Sequence, residues 1–199
     1  MSERGSGPIR VLCIFEDRAY EQVVKPLIER IATEAGLRVD VVMRFTRGCR
    51  FEPLEQWLKE SRDAYRLCCI GADAGNLPAG KKERSMRKKL GGLVDDPSIV
   101  FAIAQPSAEA WLQADLSALK AGVATVTEAT VNLPKKTRKY PRDEEGAKRG
   151  LRELLASAGV RTLQDGLEFG PAIMECVDVD AHPSIRRFVD ELRGALLRA

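Results

Sequence analysis

The chain contains one histidine, His182, and that scarcity removes several chemistries at once. Ser-His-Asp and Cys-His hydrolysis and multi-histidine zinc sites all need imidazole at the reacting centre. His182 stands in a turn ahead of a helical stretch, which reads as a helix-start residue. Cysteine is thin as well: Cys13, Cys49, Cys68, Cys69 and Cys176 are an odd number without CxxC spacing. Three of them lie inside apolar runs, where a reduced thiol packs as a small hydrophobe, so a disulfide framework is not expected and a reducing cytoplasm is. No apolar run approaches the roughly 20 residues a membrane span needs, and the polar start carries no leader pattern, so neither membrane association nor export is expected. Aromatics make up 6% of the chain, too sparse to indicate base-specific stacking. No internal repeat or low-complexity tract interrupts it.

What is present is alternation. Residues 9–15 (IRVLCIF) form a short apolar run bounded by Pro8 and Glu16, as a buried strand does. Helical spacing follows in Val24, Leu27, Ile28 and Ile31, with Gly36 as a stop and Pro26 expected near the first turn or at a kink. Residues 38–45 read as a second strand and Pro53 opens a second helix. Residues 67–70 (LCCI) read as a third strand, 81–90 as a basic helix ended by Gly91-Gly92, and 98–104 (SIVFAIA) as a fourth strand. A helix over 108–120 carries Trp111, Leu112, Leu116 and Leu119 behind Ser107 as a cap. Cys68 and Cys69 are adjacent in a strand, so they point to opposite faces and read as core thiols.

This rhythm predicts an α/β, Rossmann-like fold: a mainly parallel four-stranded central sheet with flanking helices and a helical C-terminal extension. The 199 residues suit one principal domain. We divide them into a flexible N-terminus (1–8), an α/β core (9–120), a basic loop or excursion (121–143) and a helical extension packed on the core (144–199). Within the extension, helices are expected over 144–158 and 183–197.

Parallel sheets carry their sites at the carboxyl ends of the strands. Glu16, Asp73 and Glu109 each fall just beyond a predicted strand, and Asp17 and Asp115 flank them. Carboxylates gathered there raise one another's pKa unless a cation neutralises them, and hard oxygen ligands suit Mg²⁺ or Mn²⁺.

Three segments carry a family resemblance: Val11-Leu-Cys-Ile-Phe-Glu16-Asp17, Cys69-Ile-Gly-Ala-Asp73, and Ala104-Gln-Pro-Ser-Ala-Glu109-Ala-Trp111-Leu-Gln-Ala-Asp115. The chain resembles a small stand-alone Toprim-like protein, of an uncharacterised bacterial family related to the catalytic half of overcoming-lysogenization-defect nucleases. Asp180-Ala-His-Pro-Ser-Ile-Arg-Arg-Phe188 resembles that family's closing helix. The resemblance implies a metal-dependent nuclease or phosphoesterase acting on nucleic acid, as the effector of a repair or anti-phage defence system with an ATPase partner. It also implies a glutamate after the first strand for acid–base chemistry or metal binding, and an Asp-x-Asp after the third strand for Mg²⁺. Glu16 and Asp73 match those places. Gly75 replaces the second aspartate, with Glu109 as the substitute ligand. The same replacement leaves room for a catalytically degenerate binding or regulatory module.

Phosphate contacts would fall to Lys81, Lys82, Arg84, Arg87 and Lys88 on the basic helix, and to Lys135, Lys136 and Arg138 in the basic loop. A rival lies in Gly75-Asn-Leu-Pro-Ala-Gly80-Lys81-Lys82, which nearly spells a phosphate loop. Lysine at the final position cannot ligate Mg²⁺ as Ser or Thr does, and Pro78 removes a backbone donor.

Overall fold

A computed structural model of the protein describes residues 7–46, 51–61, 63–128, 131, 141–162 and 166–199. Lys135, Lys136 and Arg138, and the first six residues of the expected flexible start, lie outside them. Strands β1 (Ile9–Phe15), β2 (Val39–Phe45), β3 (Leu67–Asp73) and β4 (Ile99–Ala104) form one sheet in the order β2-β1-β3-β4. Every neighbouring pair is parallel. The connections are α1 (Ala19–Glu34), α2 (Phe51–Ser61) and α3 (Ala79–Leu90). Beyond β4 come α4 (Ala108–Leu112), α5 (Leu116–Thr127), α6 (Glu144–Ser157), α7 (Gly170–Met174) and α8 (Pro183–Leu196). The chain is therefore an α/β, Rossmann-like protein with an all-parallel four-stranded sheet. Among the described residues no helix is long and apolar enough to cross a membrane.

The alternating side chains of the strands feed two cores. Val11, Cys13, Phe15, Cys69, Val100 and Ala102 pack with apolar residues of α1 and α4 through α8, while Leu12, Ile14, Cys68, Ile70 and Phe101 pack with α2 and α3. Cys68 and Cys69 thus do fall on opposite faces and are buried. Each large side chain buried in this way contributes on the order of 1.5–3 kcal/mol. The first core is continuous from Val11 to Leu196, so the C-terminal helices complete the covering of the sheet: Leu151 and Leu155 of α6 and Phe188, Val189 and Leu192 of α8 are fully buried.

Several local expectations change. The helix expected over 108–120 is two helices, because Asp115 accepts from the Ser117 and Ala118 amides at 2.8 and 3.2 Å and so starts a new one. That helix runs to Thr127, into the stretch expected to be a loop. Pro26 lies in the interior of α1, not in its first turn. Helix α7 has no apolar periodicity to reveal it; Pro171 stands in its first turn and Ile173 and Met174 are buried against the core. His182 begins α8 as expected, its Nδ1 accepting from the Ser184 amide at 3.2 Å.

Candidate functional site

Adjacent parallel strands bring their carboxyl ends together whatever the sequence separation, and β1 and β3 are direct neighbours with Phe15 opposite Gly71. Glu16 and Asp73 are thereby joined: the Asp73 amide donates to Glu16 Oε2 at 3.2 Å. On the other side of β3, Asp73 is opposite Ala104, the last residue of β4. The chain leaves β4 through a cis peptide at Gln105–Pro106, and the Ala108 amide opening α4 donates to Asp73 Oδ1 at 3.1 Å. A second donor on that oxygen is the Tyr20 phenol, at 2.7 Å.

Tyr20 is fully buried in the first turn of α1, its ring centroid 5.4 Å from that of Phe15. It reaches Asp73 across Gly71, where an added Cβ would stand 2.6 Å from Phe15 and 2.7 Å from Tyr20. Glycine at 71 is therefore required by contact. Two donors on one oxygen would ordinarily hold an aspartate ionised, but burial outweighs them. Desolvation, opposed by the Tyr20 hydrogen bond and reinforced by the charges of Glu109, Asp17 and Glu144, pushes the Asp73 carboxyl up to about 7. The Tyr20 phenol is also held well above its ordinary value, chiefly by burial and then by the Asp73 charge, so it stays a donor.

Glu109 occupies a different setting. It is 3% exposed, accepts from the Ser107 hydroxyl at 2.7 Å, and faces Lys148 of α6 at 3.9 Å. Ser107 consequently gives its hydroxyl to Glu109 instead of capping α4. Lys148 also pairs with Glu144 at 2.6 Å, and that bond above all raises its pKa against the opposing effect of burial, with the Glu109, Glu144 and Asp73 charges adding to it. One protein cation already compensates part of the acidic edge. Asp17 is exposed, and its Oδ1 accepts from the Ala19 amide at 2.8 Å at the start of α1.

The three expected ligands are thus a joined pair, Glu16 and Asp73, with Glu109 near enough to act on Asp73 by charge but compensated separately. Among the described residues no three His, Cys, Asp or Glu side chains are grouped to hold a metal. The contact that joins Glu16 to Asp73 runs through the Asp73 backbone amide, and Mg²⁺ is commonly bound by one or two carboxylates together with waters and substrate phosphates. Gly75 has φ +57°, donates its amide to the Pro106 carbonyl at 2.9 Å, and has open space where a side chain would project. Gly75 and Asn76 line a polar cleft of about 440 Å³ together with Asp143, Glu144, Glu145 and Arg149.

The basic residues divide by position. Helix α3 starts at the end of β3's loop, so Lys81, Lys82 and Arg84 lie in its first half, toward the acidic edge, and Lys88 in its last turn. Lys81, Arg84 and Lys88 are exposed and Lys82 is half-buried. Arg87 is engaged in the structure: it bonds Glu83 at 2.7 Å and the Val94 carbonyl at 2.9 Å, and lies over the Phe101 ring at 4.4 Å. Glu83, 4% exposed, also binds Arg187 of α8. The phosphate-loop arrangement is not formed. The Lys81 and Lys82 amides donate to the Pro78 carbonyl, and the Ala79 amide donates to Gln105 Oε1 at 3.0 Å, so these donors are spent inside the protein.

Tyr20 and Lys148 are the site residues that sequence reasoning missed. Tyr20 reads as one more apolar position of α1, and Lys148 as one of many charges on α6. No family model, curated protein or solved structure matches the chain.

Proposed function

We propose that the chain is a Toprim-like nuclease or phosphoesterase that uses Mg²⁺ or Mn²⁺ on nucleic acid, with Glu16 and Asp73 as its working carboxylates. The observation that carries this reading is the Glu16–Asp73 contact at the carboxyl ends of β1 and β3, with Asp73 held near pH 7. A carboxyl near neutrality suits proton transfer and also gains strongly from a cation, which would ionise it. Glu16 and Asp73 would hold the metal. A bound divalent cation supplies charge neutralisation at the scissile phosphate and activation of water. Tyr20 fixes the orientation of the Asp73 carboxylate through Oδ1. Lys81, Lys82 and Arg84 supply positive charge on the flank of the same edge, where a phosphate backbone would run.

The absence of a second carboxylate at Gly75 favours one further reading, a degenerate module that binds nucleic acid without cutting it. Plasmid, single-stranded DNA and RNA are incubated with the full chain in Mg²⁺, Mn²⁺ or chelator, alongside Glu16→Gln and Asp73→Asn. The proposal expects cleavage that chelator abolishes and that falls by about 100-fold or more in either variant. Salt-sensitive binding without cleavage would replace it by the module, and cleavage undiminished in both variants would remove these two residues from the chemistry.

A further inference from the structure

The two edges of the sheet are treated differently. On β4, residues 100–104 are all buried. On β2 no residue of Val39–Phe45 is buried: Val39, Val41, Val42, Met43 and Phe45 are all partly exposed. Among the described residues β2 pairs only with β1. The Arg38 carbonyl receives the Ile9 amide and the Thr46 amide reaches the Phe15 carbonyl. In a parallel ladder alternate residues of a strand face the partner. The even-numbered residues of β2 therefore bond to β1, and the N–H and C=O groups of Val39, Val41, Met43 and Phe45 point outward. Among the described residues, four apolar residues of this strand thus present unpaired backbone groups, a template for another strand.

The order of residues selects the partner. In an antiparallel pair of two β2 strands with a two-fold axis at Val42, Val41 meets the second copy's Met43 and Val39 meets its Phe45. These are the residues with outward amides, so each such pair exchanges both backbone hydrogen bonds. In the same register Asp40 of each copy lies directly opposite Arg44 of the other, in the closer, non-hydrogen-bonded positions. A shift by two residues in either direction removes both charge pairs and shortens the overlap. Asp40 and Arg44 are accessible for this: their side chains are 53% and 37% exposed, in long pairs with Arg10 at 3.8 Å and Glu60 at 3.5 Å. We infer that β2 is a self-association edge, and that two copies of this chain join through antiparallel β2–β2 pairing into one continuous eight-stranded sheet, with the Asp40–Arg44 pairs setting the register. Because the strands run oppositely across the axis, the two acidic edges face opposite ways and share no residues.

The mass of the full chain is measured by sedimentation across a wide dilution series, with backbone hydrogen exchange at the two ends of the series. The inference expects a mass rising from 22.0 kDa toward twice that value, with the Val41 and Met43 amides gaining protection as the dimer forms. Arg44→Asp, which sets like charges opposite Asp40, weakens the dimer by about tenfold or more. Asp40→Arg combined with Arg44→Asp restores it. Met43→Pro removes an outward amide without touching the β1 ladder and abolishes it; should that variant fail to fold, the charge pair decides. A monomer at every concentration overturns the inference. So does a dimer indifferent to Arg44→Asp, or one that the double substitution fails to restore.

Discussion

Asp73 takes both of its hydrogen bonds from Tyr20 and the Ala108 amide on one oxygen, and burial still holds its carboxyl near 7, against 3.8 for an unperturbed aspartate. The folded protein therefore binds this proton more tightly than the unfolded chain. Asp73's contribution to stability is complete below about pH 4 and is lost as pH rises to 7. In metal-free buffer, Asp73→Asn, which keeps an acceptor for Tyr20 and carries no charge, should be more stable than the wild type above pH 7 by up to about 4 kcal/mol. That gap should close toward pH 4 in thermal melts; a gap independent of pH would contradict the assigned shift. Gly75 offers the complementary substitution. Gly75→Asp projects a carboxylate into open space at the cost of the left-handed backbone, about 1 kcal/mol of stability. It should tighten Mn²⁺ binding measured by calorimetry, and unchanged affinity would place position 75 outside the site. Lys148 is the third case, as the cation facing the buried Glu109. Lys148→Met should lower stability by about 1–3 kcal/mol, and adding Glu109→Gln should recover most of it. Chemical denaturation of the three proteins provides the check.

At the scale of elements, helix α3 combines two kinds of basic residue. Arg87 belongs to a network in which the buried Glu83 ties α3 to Arg187 of α8, whereas Lys81 and Arg84 face solvent. Replacing Lys81 or Arg84 by alanine should weaken nucleic-acid binding about equally for all sequences, and should reduce the slope of log affinity against log salt by about one per residue. Glu83→Gln should lower the melting temperature first and binding only secondarily; equal salt slopes in all three would contradict this division. The strands and the helices of the core were legible because a buried parallel strand is a short apolar run and a covering helix repeats at 3.6 residues. The break inside 108–120 was not, because Leu112, Leu116 and Leu119 keep a helical spacing straight through it while Asp115 caps a second helix. Glu16 and Asp73 were legible for the same reason as the strands they end. Tyr20 and Lys148 were not, since their roles depend on Gly71 admitting a ring and on α6 docking over α4, and neither leaves a local pattern.

For the molecule as a whole, a Rossmann-like sheet gathers at one edge a carboxyl that burial keeps near neutrality, a glutamate bonded to its backbone, and a basic helix alongside. The proposed function requires a divalent cation at the Glu16–Asp73 pair. Calorimetric titration of Mg²⁺ or Mn²⁺ into the full chain at pH 6.5, in two buffers of different ionisation enthalpy, tests it most directly, because metal binding must displace the Asp73 proton. The expected result is binding that releases about three-quarters of a proton at pH 6.5 and almost none at pH 8.5, and that Asp73→Asn and Glu16→Gln each abolish. No binding at either pH, or binding that both variants retain with the same proton release, would contradict it.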